Sequence, residues 1–156
     1  MNISQKGRNI LKRYCLIALG IPSILLVFML VLYFSPWEID QAQVSTSTLN
    51  VVAACFAAAG VAMWAFFSHF MYRRLWKVFP YIAERDKAWS YTEGVFGLLG
   101  VGVSMMSTLA VLFYLFTGDI TRSIVLIVLS FALALVEIAR FPTRLDEIEK
   151  IMAEME

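Results

Sequence analysis

Few side chains in this sequence have the chemistry to act inside an apolar environment. His69 and Glu137 sit near the ends of long apolar segments, and Arg73 and Arg140 follow them by four and three residues. An ionisable group in a membrane is costly, so it marks a ligand site, a transport path or a pairing partner. If their segments are neighbours, His69, Arg73, Glu137 and Arg140 lie at one depth and form an interfacial cluster. Two readings of it stand side by side: an inner gate or headgroup site, and a salt bridge that fixes helix register.

A second candidate is a row of hydroxyls, Ser104, Ser107 and Thr108, near the middle of the third apolar segment. In a pore they would serve a permeant, and in a packed helix such hydroxyls bond back to their own carbonyls. Other chemistry is poorly supplied. One His and two Cys fall short of the ligand set of a structural zinc site. Cys15 lies near the inner end of the first segment and Cys55 near the outer end of the second, about 20 Å apart in height from the helix rise. A disulfide needs Cα atoms within ~7 Å. There is no Gly-rich phosphate loop and no H-E-x-x-H motif. The expectation is a protein that is not an enzyme and takes no cofactor and no metal.

The elements that must carry these residues follow from composition. Of 156 residues, 60% are hydrophobic and 16% charged, with a net charge of +1. The mean hydropathy is +0.74. A soluble domain is roughly half apolar and about one quarter charged. The composition therefore excludes a soluble globule, a disordered chain and a disulfide scaffold, and the charge balance argues against nucleic acid as a partner. Four segments are apolar enough to span a bilayer, which takes about 20 helical residues. The expected spans are residues 14–34, 49–72, 92–117 and 122–140, within a membrane domain of residues 1–142. The first follows a basic leader, yet its apolar stretch exceeds a signal-peptide core, and it reads as a retained span.

Orientation follows from the basic residues. Four Lys and Arg precede span 1, five lie between spans 2 and 3, three follow span 4, and Arg122 alone falls on the other side. The positive-inside rule then places both termini and the middle loop in the cytoplasm, with the protein in a plasma or inner membrane. Aromatic belts are expected at Tyr33, Phe34 and Trp37, at Phe113, Tyr114 and Phe116, and through the inner loop at Trp76, Phe79, Tyr81, Trp89 and Tyr91.

Local signals mark the helix ends. Ser90-Tyr91-Thr92-Glu93 fits a capping box before span 3. Gly118 can close that span in the left-handed conformation, and Asp119 or Thr121 can cap the next. Pro22 is expected to kink span 1. Phe141-Pro142 is expected to end span 4, with Thr143 capping a short cytoplasmic amphipathic helix over residues 143–156. Its Leu145, Ile148, Met152 and Met155 share one face, a seam for a partner. Its acids, including Glu154 and Glu156, face a basic middle loop. Small residues recur every four positions at Ala54, Ala58 and Ala62, with Ala53, Ala57 and Gly60 beside them. Span 3 offers Gly97, then Gly100, Ser104 and Thr108 at four-residue steps. This pattern predicts a close contact of spans 2 and 3 or self-association.

The sequence thus predicts an all-α polytopic membrane protein, a four-transmembrane-helix bundle. Its leading functional reading is a non-catalytic subunit or interaction protein of a membrane complex. The alternatives are a small oligomeric channel or carrier for an uncharged solute, and a lipid-interacting protein whose inner loop attracts anionic headgroups. Its partners are the lipid bilayer and a membrane protein or a second copy of itself.

Overall fold

The computed structural model describes residues 4–35, 45–82 and 84–154, and the structural statements below concern those residues. The fold is all-helical: α1 (Gln5–Phe34), α2 (Thr46–Val78), one 3₁₀ turn (Phe79–Tyr81), α3 (Arg85–Thr117) and α4 (Ile120–Glu154). All four long helices have the length and apolarity to cross a membrane. At 1.5 Å per residue the 35 residues of α4 extend about 52 Å, well beyond a ~30 Å hydrocarbon core.

The helices are positioned by α3. It packs against each of the other three, α1 also packs on α4, and α2 touches α4 only lightly. In the apolar window of α3, 61% of residues are buried, against 11% in α2. The start of α1, the end of α2, the start of α3 and the end of α4 meet at one end of the bundle, hereafter the basic end. The α3–α4 turn marks the other.

Local signals account for most helix ends. Ser4 Oγ accepts from the Gly7 amide at 3.1 Å, and Ser45 Oγ from the Thr48 amide at 3.2 Å. Gly118 closes α3 at φ 67°, a left-handed conformation that suits glycine. Asp119 Oδ1 accepts from the Arg122 amide at 3.0 Å, capping α4 as expected. Arg122 pairs with Asp119 and reaches Asn50 Oδ1 at 2.7 and 2.9 Å, tying the starts of α4 and α2 together. The capping box does not form. α3 already begins at Arg85, so Ser90 lies inside it, and Glu93 pairs with Arg13 of α1 instead.

The second difference is larger. α4 runs unbroken through Pro142, so no separate short helix follows span 4. A proline in a helix interior costs about 3 kcal/mol, since it removes one hydrogen bond and crowds the preceding turn. Phe141, Leu145, Ile148 and Met152 are all essentially fully buried. Burial of such side chains contributes about 1.5–3 kcal/mol each, which outweighs the proline. They extend the stripe of Leu126, Ser130, Leu133 and Glu137 at steps of three or four residues. Leu145, Ile148 and Met152 therefore belong to the bundle's own core and not to a surface seam. The Ser4 amide donates to Glu149 Oε1 at 3.3 Å, holding this end of α4 beside α1. Met155, Glu156 and Trp37 lie outside the described residues.

α1 likewise continues across Pro22, which is buried. Several expected belt aromatics are core residues: Phe79, Trp89, Phe113 and Tyr114 are buried, whereas Tyr33, Phe34, Tyr81 and Phe116 are exposed.

Candidate functional site

The basic end is organised by aromatic rings, one from each helix. Phe96 of α3 meets Phe141 of α4 at 4.8 Å between centroids, Tyr72 of α2 at 6.1 Å and Tyr14 of α1 at 6.3 Å. Tyr14 stacks on Phe141 at 6.4 Å. Tyr14, Phe96 and Phe141 are buried and Tyr72 is half-buried beside them, so the inward faces of the four helices converge here. Edge-to-face pairs of this kind add about 0.5–1.5 kcal/mol beyond area burial.

Glu137 stands one turn before Phe141 and is buried, with a side chain 3% exposed. Ser68 Oγ of α2 donates to its Oε1 at 3.0 Å. Arg144 Nη1 donates to its Oε2 at 2.6 Å, and Arg140 Nη1 lies 3.8 Å from Oε1. The Arg144 guanidinium also covers the Tyr72 ring, with Cζ 3.6 Å from the centroid. Arg140 stands over Trp64 at 5.7 Å. Both carboxylate oxygens are thus engaged; the Glu137–Arg144 pair lies within α4, and the Ser68 hydroxyl and the Tyr72 ring join α2 to it. The arrangement balances a buried charge and gives α2 and α4 a fixed register.

Beside it, α2 and α4 frame an open cleft of about 310 Å³. Trp64, Ser68, His69, Tyr72, Arg140 and Arg144 line it. Of the expected cluster, the structure brings Glu137 and Arg140 together. It leaves His69 at the exposed wall of the cleft, and Arg73 exposed on α2 and outside the cleft lining. The residues that sequence reasoning missed are Ser68 and Arg144. A spacing of seven residues puts Arg144 on the face of Glu137, and that signal was hidden by reading Pro142 as a helix end.

The hydroxyl row does not face one path. Ser104 Oγ donates to the Gly100 and Val101 carbonyls at 2.9 Å, and Ser107 Oγ to the Ser104 carbonyl at 2.5 Å. Both are buried, whereas Thr108 is exposed on the outer surface. Ser130, which sequence reading did not select, crosses from α4 to the Val103 carbonyl of α3 at 3.3 Å.

The small residues divide between two uses. Close contact of α2 with α3 runs through Gly60, where a Cβ would overlap the Met106 thioether, and Gly102, where it would lie 3.1 Å from Phe67 Cβ. Gly100 faces α1 instead, 3.1 Å from Ile17 Cγ2. Ala53 and Ala57 pack partly against the core. Ala54, Ala58 and Ala62 are exposed, with Cys55 and Ala59 beside them on α2, and Ala54 also borders a groove between α2 and α4. α1 exposes Leu16, Ile24, Val27, Phe28 and Val31, and α2 exposes Val51, Val61, Phe66 and Phe70 around its small residues. Comparison with family models, with curated proteins and with solved structures returns no match for this chain.

Proposed function

We propose that the chain is a non-catalytic interaction protein of the membrane that docks a helix of another membrane protein on the outward face of α2. The observation that carries this reading is the contrast between exposed faces of one bundle. α1 shows branched and aromatic side chains outward, as a lipid-facing helix does. α2 shows Ala54, Cys55, Ala58, Ala59 and Ala62 outward over about two turns, a run of small residues that α1 lacks, between exposed Val51 and exposed Phe66 and Phe70. Apolar association inside a bilayer is driven by close packing, and small residues four apart let two backbones approach. α2 is also the helix least covered by its own chain. In this reading the Ser68–Glu137 bond, the Arg144 guanidinium over Tyr72 and the four-ring cluster hold α2 in place, so its outward face is presented rigidly. By the distribution of basic residues, the basic end faces the cytoplasm.

The channel reading has weaker support, because Ser104 and Ser107 are committed to helix carbonyls. The test is extraction in a lipid-preserving polymer followed by native mass measurement, for the parent and for Ala54→Leu/Ala58→Leu. Both alanines are exposed, so the variant should fold, since surface substitutions usually shift stability by about 0.5 kcal/mol or less. The parent should carry a stoichiometric foreign membrane protein that the variant loses. A parent that migrates only as copies of itself would overturn the proposal and favour an oligomeric channel or carrier.

A further inference from the structure

We propose that the groove between α2 and α3 at the basic end binds one anionic phospholipid. The groove has a volume of about 630 Å³, within the range of ordinary ligand pockets. Its chemistry is graded with depth. Arg74 and Lys87 line it together with Ser90, and all three are exposed, so their donors are accessible. Met71, one turn deeper on α2, and Val95 on α3 supply a buried apolar floor, with the exposed Leu98 at its side. From Lys87 to Leu98 the helix rises about 16 Å towards the middle of the bundle. That depth suits a headgroup phosphate at the cationic end and the first part of an acyl chain along the floor.

Three further observations favour this occupant. No carboxylate lines the groove among the described residues, so two cations face the ligand. Lys87 does bond Glu84 at 2.8 Å, but both side chains are largely exposed and such pairs are weak. Tyr91 lines the groove, and its buried hydroxyl has no hydrogen-bond partner in the protein. That hydroxyl is closed off from the groove, and a turn of the ring would offer it to a phosphate oxygen. Gly94 keeps the passage open: a Cβ there would meet no atom within 4 Å. Basic side chains near a membrane surface attract anionic lipids, and here they flank a cavity continuous with the apolar zone.

The experiment is native mass spectrometry of the full chain with equal amounts of phosphatidylglycerol and phosphatidylcholine of identical acyl chains. One phosphatidylglycerol per chain should be retained in preference to phosphatidylcholine. Arg74→Gln/Lys87→Gln should lower that preference about thirtyfold, the factor implied by two basic side chains near an anionic headgroup. Gly94→Leu should abolish it by filling the groove without touching a charge. Arg73→Gln/Lys77→Gln removes two exposed cations that do not line the groove, and it should keep the preference. Equal retention of both lipids by the parent would overturn the proposal. So would an equal loss in the Arg73/Lys77 control, which would indicate diffuse attraction, or an undiminished preference in Gly94→Leu. Unchanged helicity by circular dichroism establishes that each variant is folded.

Discussion

Removal of Arg144 should destabilise the bundle more than removal of its partner, Glu137. The Glu137 side chain is 3% exposed and that of Arg144 is 20% exposed. Arg144→Met strands a buried carboxylate, and breaking a buried pair in this way costs about 3–5 kcal/mol. Ser68 still donates at 3.0 Å and Arg140 stands at 3.8 Å, so the loss should fall in the lower part of that range. Glu137→Gln leaves a long, partly exposed arginine that can carry its charge to the interface. Its cost is that of a hydrogen bond to a charged group, about 1.5–3 kcal/mol. Replacing both, as Glu137→Leu/Arg144→Met, removes the stranded charge altogether and should recover much of the loss. Ser68 can then turn to its own helix carbonyls, as hydroxyls in helices do. The assay is equilibrium unfolding in mixed micelles with increasing dodecyl sulfate, followed by circular dichroism. If Arg144→Met matches the parent, or if the double variant is no more stable than Arg144→Met alone, Arg144 does not balance a buried Glu137 charge in the bundle.

The same unfolding assay should separate two glycines of α3. Gly102→Leu places atoms against Phe67 Cβ, which cannot swing aside, and should cost about 1–3 kcal/mol; Gly97→Ala meets nothing within 4 Å and should be neutral or stabilising by up to about 1 kcal/mol. Equal effects would contradict the assigned α2–α3 contact. For orientation, single cysteines at Thr121 and Asn9, both exposed, in a chain whose own cysteines are replaced, should differ. A membrane-impermeant maleimide should label the first in intact cells and the second only after permeabilisation, and the reverse pattern would invert the topology.

The spans were legible because hydropathy over about 20 residues is a strong signal, and the α3–α4 turn because Gly118 and Asp119 have few other roles. The path of α4 was not legible. Pro142 is a local signal for a stop, whereas the burial that overrides it comes from tertiary contacts, and Leu145, Ile148 and Met152 read equally well as an outward seam. The site was half visible. Glu137 and Arg140 stood out as charges beside an apolar run, but Arg144 lay beyond the presumed end of the helix, and Ser68 carried no charge to attract notice. Helical periodicity does not say which neighbour a face meets. For that reason Gly100 turned to α1, and Ala54, Ala58 and Ala62 turned outward.

The central claim, that the outward face of α2 meets another protein, is tested most directly by Cys55, which is exposed on that face. With Cys15 replaced, a maleimide carrying a photoreactive group would be attached at Cys55 in native membranes and illuminated. The account predicts one defined adduct with a different membrane protein. That adduct should disappear in Ala58→Leu and be absent when the single cysteine is placed instead at exposed Val27 of α1. Adducts with lipid only, or the same protein adducts from both positions, would contradict it.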